Sequence, residues 1–122
     1  MEKASGKLRL TSEKAYAQAA ARCAGREYCR ADWQQKWMRA GLSPEAVETL
    51  LRQLEREGYI DENRYARAFA HDKCLYDRWG RIKIRAALQQ KGISATDIAE
   101  ALERVDEVAY EEGLRALLAA KA

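Results

Sequence analysis

Two sets of basic side chains are spaced to share a helix face. Arg64, Arg67 and His71 fall at i, i+3 and i+7, and Arg78, Arg81 and Arg85 repeat that spacing, so on adjacent helices they would form one cationic surface. Guanidinium groups in such an array recognise anions, phosphates above all, by charge and by N–H donation; they break no bonds. Lys73 and Lys83 lie off both stripes, and Trp79, next to Gly80, brings an indole that either stacks on a ligand or packs inward. The plainer alternative is a solvated helix face whose arginine stems cover apolar neighbours. Nothing accompanies these residues that would make an enzyme. His71 is the sole histidine, and the three cysteines, Cys23, Cys29 and Cys74, show neither C-x-x-C nor another zinc spacing. No Ser-His-Asp or Cys-His arrangement and no phosphate-cradling glycine loop is present, so no catalytic residue, metal or cofactor is expected, and the thiols are expected to be reduced.

The elements that carry the stripes must be helices. One proline in 122 residues, 48% apolar and 34% charged residues, and no alternating strand pattern describe an all-α chain. The net charge of +3 is unevenly spread. From Glu62 to Lys91, eight Lys or Arg stand against three Asp or Glu, and from Gly92 onward three stand against seven. A basic middle beside an acidic tail suits a polyanion or an acidic partner. No apolar run approaches the roughly 20 residues of a membrane span and no signal peptide opens the chain, so a cytoplasmic protein is expected.

The sequence also repeats itself. Tyr16-Ala17 returns as Tyr65-Ala66 at an offset of 49, and Gly41-Leu42-Ser43 returns as Gly92-Ile93-Ser94 at 51, a slip that a two-residue loop insertion would produce. Within the first copy, Ser12 reads as an N-cap before Tyr16, Ala19, Ala20 and Cys23; Trp33 and Trp37 mark a second helix; and Ser43-Pro44-Glu45 starts a third through Val47, Leu50, Leu51 and Leu54 to Gly58. In the second copy, Asp61 precedes a helix with Tyr65 and Phe69, Ile84 and Leu88 take the place of the tryptophans, and Ser94-x-x-Asp97 opens a helix with Ile98, Ala101, Leu102 and Val105 inward. Asp106-Glu107 and Tyr110 answer Asp61-Glu62 and Tyr65 and suggest a new helix from about Asp106. The expected organisation is a loose segment 1–11, three-helix repeats at 12–60 and 61–105, and the first helix of a third repeat at 106–122. Stacked units of this size usually present an extended binding surface.

A helix–turn–helix DNA reader is the main local rival, because both glycine turns join two helices. That motif needs basic or amide side chains at the start of its second helix. Here those positions carry Glu45 and Glu48, or Asp97, Glu100 and Glu103, which phosphates would repel.

Leu54-x-x-x-Gly58-Tyr59-Ile60-Asp61-Glu62-x-x-Tyr65-Ala66-x-x-Phe69, followed by Trp79-Gly80-x-x-Lys83-Ile84-x-x-x-Leu88-x-x-Lys91-Gly92-Ile93, resembles the RecX family of RecA regulators. The resemblance covers about Ala46 to Leu102. It implies tandem three-helix repeats, usually three, in an elongated, curved array that binds in the groove of the RecA–DNA filament. It also implies a non-enzymatic regulator that restrains recombination, ATP hydrolysis and co-protease activity in DNA repair and the SOS response. Gly58-Tyr59, Tyr65-Ala66, Phe69, Ile84, Leu88 and Gly92 then look structural, while Arg64, Arg67, Lys73, Arg78, Trp79, Arg81, Lys83 and Arg85 are the candidates for partner or DNA contact. The alternative function is a sequence-nonspecific nucleic-acid binder acting through the arginine stripes. A monomer is expected, with self-association open through the incomplete third repeat.

Overall fold

Ser43, Pro44 and Glu45 start a helix as their chemistry requires. Ser43 Oγ accepts the Ala46 N–H at 3.1 Å, Pro44 occupies a position whose N–H would have no helical partner, and Glu45 places negative charge at the positive helix end. The same logic opens the first helix one residue earlier than the sequence suggests, because Thr11 Oγ1 takes the Lys14 N–H at 3.2 Å and Ser12 is already helical. The computed structural model describes residues 10–121. The expected loose segment 1–11 therefore lies outside the described residues except for Leu10 and Thr11.

The chain divides after Asp61 into two units. The first holds α1 (Ser12–Cys23), α2 (Arg30–Arg39) and α3 (Pro44–Arg56), and the second holds α4 (Glu62–Leu75), α5 (Arg81–Gln90) and α6 (Ala95–Lys121). No strand occurs among the described residues. In the first unit α1 and α2 both pack on α3 around Trp33, Trp37, Leu51 and Leu54, each at most 2% exposed. Ala15 and Ala19 are the fully buried positions of α1, with Tyr16, Ala20 and Cys23 only half-buried at its margin. In the second unit α4 packs mainly on α6, with Ile84 and Leu88 of α5 closing the core beside Ile98, Ala101, Leu102 and Val105.

Burial corrects the repeat. Ala15, Ala19, Trp33, Trp37, Val47, Leu50, Leu51 and Leu54 recur 51 positions later as Ala66, Ala70, Ile84, Leu88, Ile98, Ala101, Leu102 and Val105, all buried. The offset is constant, so the expected two-residue insertion is absent. Tyr16-Ala17 and Tyr65-Ala66 look alike in sequence but stand two positions apart in the fold. What aligns the first helices is a pair of alanines, small enough to let helix backbones approach, and not the more conspicuous tyrosines.

Helix ends repeat as well. At Gly41, φ is +95°, and the Leu42 N–H reaches the Trp37 carbonyl at 3.1 Å; 51 positions on, at Gly92, φ is +76°, and the Ile93 N–H reaches the Leu88 carbonyl at 3.1 Å; Gly58, with φ +79°, ends α3 in the same way, the Tyr59 N–H reaching the Leu54 carbonyl at 2.9 Å. The left-handed residue closes the helix and returns an apolar residue to the core. Ala109 stands 51 positions after Gly58, where no such turn forms. An alanine there carries a Cβ that disfavours φ > 0, so α6 runs unbroken through Lys121. The separate helix expected from Asp106 is thus a continuation of α6.

A strut ties α2 to α3. Arg30, 28% exposed, donates to Glu55 Oε1 at 2.7 Å and to Glu48 at 2.8 and 3.0 Å, and Glu48 also takes Arg52 Nε at 3.3 Å. Hydrogen bonds from Arg30, then Arg52, hold the Glu48 carboxyl below its usual range, whereas burial and a hydrogen bond to Glu57 push the Tyr16 hydroxyl up to about 12.

Two predictions follow from these contacts. Gly58→Ala meets no atom within 4 Å of its new Cβ, so its cost is backbone strain alone, about 1–2 kcal/mol in a urea titration. Glu48, with a lowered folded pKa, contributes stability that is whole above its ordinary value of 4.5 and is lost as pH falls through the folded value. Arg30→Leu should flatten that acid limb of the pH–stability curve; an unchanged limb would remove the strut from the account.

Candidate partner-binding surface

The cationic side chains of the second unit fall into three environments. Arg64 and Arg67 on α4 line an open cleft of about 500 Å³ against α6, together with Ala68, His71, Asp72, Cys74, Arg104, Val105 and Glu107. Arg67 Nε donates to Asn63 Oδ1 at 2.9 Å, and Asn63 Nδ2 donates to Asp97 Oδ1 and Glu100 Oε1, each at 2.8 Å. Asn63 thereby links the arginine to the acidic start of α6, where those carboxylates already favour the helix dipole. The apolar floor and cationic rim suit an acidic side chain or a phosphate.

The second environment is built around Trp79. The Trp79 N–H donates to the Lys73 carbonyl at 2.9 Å, which folds the α4–α5 connection back on α4. Its ring then meets Phe69 edge-on at 6.1 Å, with the ammonium groups of Lys73 and Lys83 at 4.8 and 4.4 Å from the ring centroid. Lys73 also pairs with Asp77 at 2.9 Å. The indole is half-buried and carries two cations, so it works as the mount that positions Lys73 and Lys83.

The third environment separates residues that sequence spacing had joined. Gly80 is the N-cap of α5 with extended backbone, so the helix begins at Arg81 and Arg78 lies in the preceding loop at φ +57°. Arg78, Arg81 and Arg85 therefore do not form one helical stripe. Arg81 is the counterpart, 51 positions on, of Arg30. As Arg30 ties α2 to Glu55, Arg81 ties α5 to Asp106, the equivalent of Glu55, and it also approaches the Leu102 carbonyl at 3.5 Å. Its guanidinium is committed to the unit's own structure. Arg78 and Arg85 are exposed and have no ion-pair partner among the described residues.

What this surface offers is positive charge and N–H donors. Among the described residues no group of three metal-ligating side chains exists. A single exposed cation opposite a phosphate contributes only about 1 kcal/mol in water, so useful affinity needs several engaged at once. Arg104 is the cleft-lining cation that sequence reasoning missed. It sits among the acids of α6, and only the α4–α6 packing sets it beside Arg64 and Arg67.

Comparison with known proteins places this arrangement. Residues 61–102 match the family described as RecX, second three-helix domain. The regulatory protein RecX of Pelodictyon phaeoclathratiforme is 30% identical over 84 residues, covering 69% of this chain and 52% of that protein. That of Pseudomonas fluorescens strain SBW25 is 35% identical over 79 residues, covering 65% and 50%. A crystal structure of regulatory protein RecX superposes with a TM-score of 0.70 at 29% identity, covering 76% of this chain and 47% of that one. The chain spans about half the length of the curated relatives it matches.

Arg78 holds a conformation that a glycine would hold at lower cost. Arg78→Gly should leave stability unchanged or raise it by up to about 1 kcal/mol, whereas Trp79→Ala, which unseats Phe69 and both lysines, should cost about 2 kcal/mol. Thermal unfolding followed by circular dichroism reads both; a destabilised Arg78→Gly would mean that its side chain supports the fold.

Proposed function

Because the chain belongs to the RecX family, whose named members are regulatory proteins, we propose that it binds the RecA–DNA filament and restrains RecA's recombinase, ATPase and co-protease activities. The observation that carries the reading is the second unit, where the family match and the cationic side chains coincide. Arg64, Arg67 and Arg104 on one side, and Lys73, Arg78, Lys83 and Arg85 around the α4–α5 connection, give several weak contacts on one scaffold. A filament repeats its subunits, so many weak contacts can be engaged together. No bond-breaking step is involved: the protein acts by occupying a surface that the filament needs.

Arg81 takes no part in recognition here. Its bond to Asp106 serves the fold, and the binding role passes to Arg78 and Arg85, which have no such tie. Direct contact with DNA phosphates belongs to the same surface, and ionic strength separates the two partners. Tight binding to bare DNA that falls steeply with salt would make the protein a nonspecific nucleic-acid binder.

The decisive assay is DNA-dependent ATP hydrolysis by RecA with this protein present at substoichiometric ratios. Hydrolysis should slow, and the double variant Arg78→Glu, Arg85→Glu should lose about tenfold in potency while its helical circular dichroism is retained. Undiminished hydrolysis and unaltered filament length would end the proposal; equal potency of the double variant would move the contact elsewhere on the chain.

A further inference from the structure

The α4–α5 connection gathers two ammonium groups on one ring. Lys73 Nζ and Lys83 Nζ lie 4.8 and 4.4 Å from the centre of the Trp79 indole, although one comes from α4 and the other from α5. The ring that holds them is itself held. Phe69 meets it edge-on at 6.1 Å, and Phe69 in turn stacks at 5.9 Å on Tyr65, whose side chain is buried in the core of the unit. An aromatic ladder therefore runs from the core to the two cations and keeps them within two cation–ring contacts of each other. Lysine side chains are otherwise free to spread, and a pair held in place loses less freedom when it meets a ligand.

The form of the charges identifies that ligand. Ammonium groups are compact point charges that suit phosphate oxygens, whereas the planar fork that grips a carboxylate belongs to arginine. The arginine that opens α5, Arg81, is tied to Asp106. A nucleic-acid strand carries a negative charge at every nucleotide, so neighbouring phosphates can engage both lysines together. With two cations over its ring and Phe69 against it, the indole serves as a mount and not as a platform for a base; the site meets backbone and reads no sequence.

One group stands in the way of such a ligand. Asp77, beyond the end of α4, sets a carboxylate 2.9 Å from Lys73 Nζ and neutralises half of the pair. An exposed ion pair of this kind adds little to stability. Its larger effect falls on an incoming anion, which must displace the carboxylate and then bind beside it. We propose that Lys73, Trp79 and Lys83 form a site for a phosphodiester backbone, and that Asp77 occupies the site in the unliganded protein and sets its affinity. Lys83, which has no ion-pair partner among the described residues, makes the first contact, and Lys73 joins as Asp77 is displaced. The proposal rests on the filament-binding reading only for its place on a filament, where it gives the nucleic-acid side of the surface to the α4–α5 connection; the site itself is tested without RecA.

The full chain is titrated at low ionic strength with an unlabelled oligothymidylate of about twelve nucleotides while indole emission is followed. Trp33 and Trp37 are buried in the first unit at 2% and 1% exposure, so a saturable change reports Trp79. Binding should be weak and should fade as salt is raised. Lys83→Gln should weaken it about fivefold, and Asp77→Asn should tighten it about threefold. Anisotropy of a labelled strand extends the series to the ring: Trp79→Phe should keep most of the affinity, and Trp79→Leu should lose as much as Lys83→Gln while its circular dichroism stays helical. Asp77→Asn alters an exposed side chain and keeps the test decisive even where Trp79→Leu does not fold. No saturable change at low salt, an affinity unmoved or lowered by Asp77→Asn, or an equal response to a hexaglutamate peptide would each overturn the proposal, the last by making the site a receptor for acidic protein. Inhibition of RecA's ATP hydrolysis by a chain that binds no strand would sink this site and leave the filament reading intact.

Discussion

Helices of 10 to 14 residues cannot hold themselves in water, and five of the six helices among the described residues are of that length. Each must bury an apolar face on its neighbours, and a single pair would leave much of that face wet. Three helices around one small core are the smallest arrangement that succeeds, and the chain builds that arrangement twice with buried positions 51 residues apart. Units of about 60 residues have little surplus stability. That explains why so much of the sequence outside the core is committed to ending helices and tying them together. Gly58 and Gly92 stop helices and return Ile60 and Ile93 to the interior, while Arg30 and Arg81 tie the middle helix of each unit to the third.

That commitment shapes what remains for recognition. Basic residues in the second unit are numerous, but tertiary packing sorts them by duty. Arg81 is taken by Asp106, Arg67 by Asn63, and Lys73 and Lys83 are gathered on the Trp79 ring. Side chains held in this way lose less freedom when they meet an anion, and their placement is more reproducible. Arg78 is kept in a left-handed backbone position where glycine would be cheaper, in the connection between α4 and α5.

The third helix of each unit begins alike and ends differently. Ser43 and Ser94 both cap, the buried residues of the first three turns correspond, and then Gly58 is answered by Ala109. One residue type decides whether the chain turns back to its own core or continues outward as an exposed apolar helix.

Much of this could be read from sequence, because caps, stops and helical periodicity are local physics. Trp33 with Trp37, Ser43-Pro44-Glu45, Ile84 with Leu88, and Ile98 with Ala101, Leu102 and Val105 were placed correctly by spacing and residue type alone. The family resemblance was equally legible in the second unit. What depended on which side chains meet across helices was not legible. Similar letters at Tyr16 and Tyr65 suggested one register, while the alanines that are fully buried set another. Even spacing joined Arg78 to Arg81 and Arg85 until an extended Gly80 separated them, and Arg104 looked like a stray cation among acids until α4 packed beside it. Local sequence determined where helices start, stop and face; the tertiary structure decided which charges are spent inside the protein, because an ion pair or cation–ring contact exists only between groups that packing brings within a few ångströms.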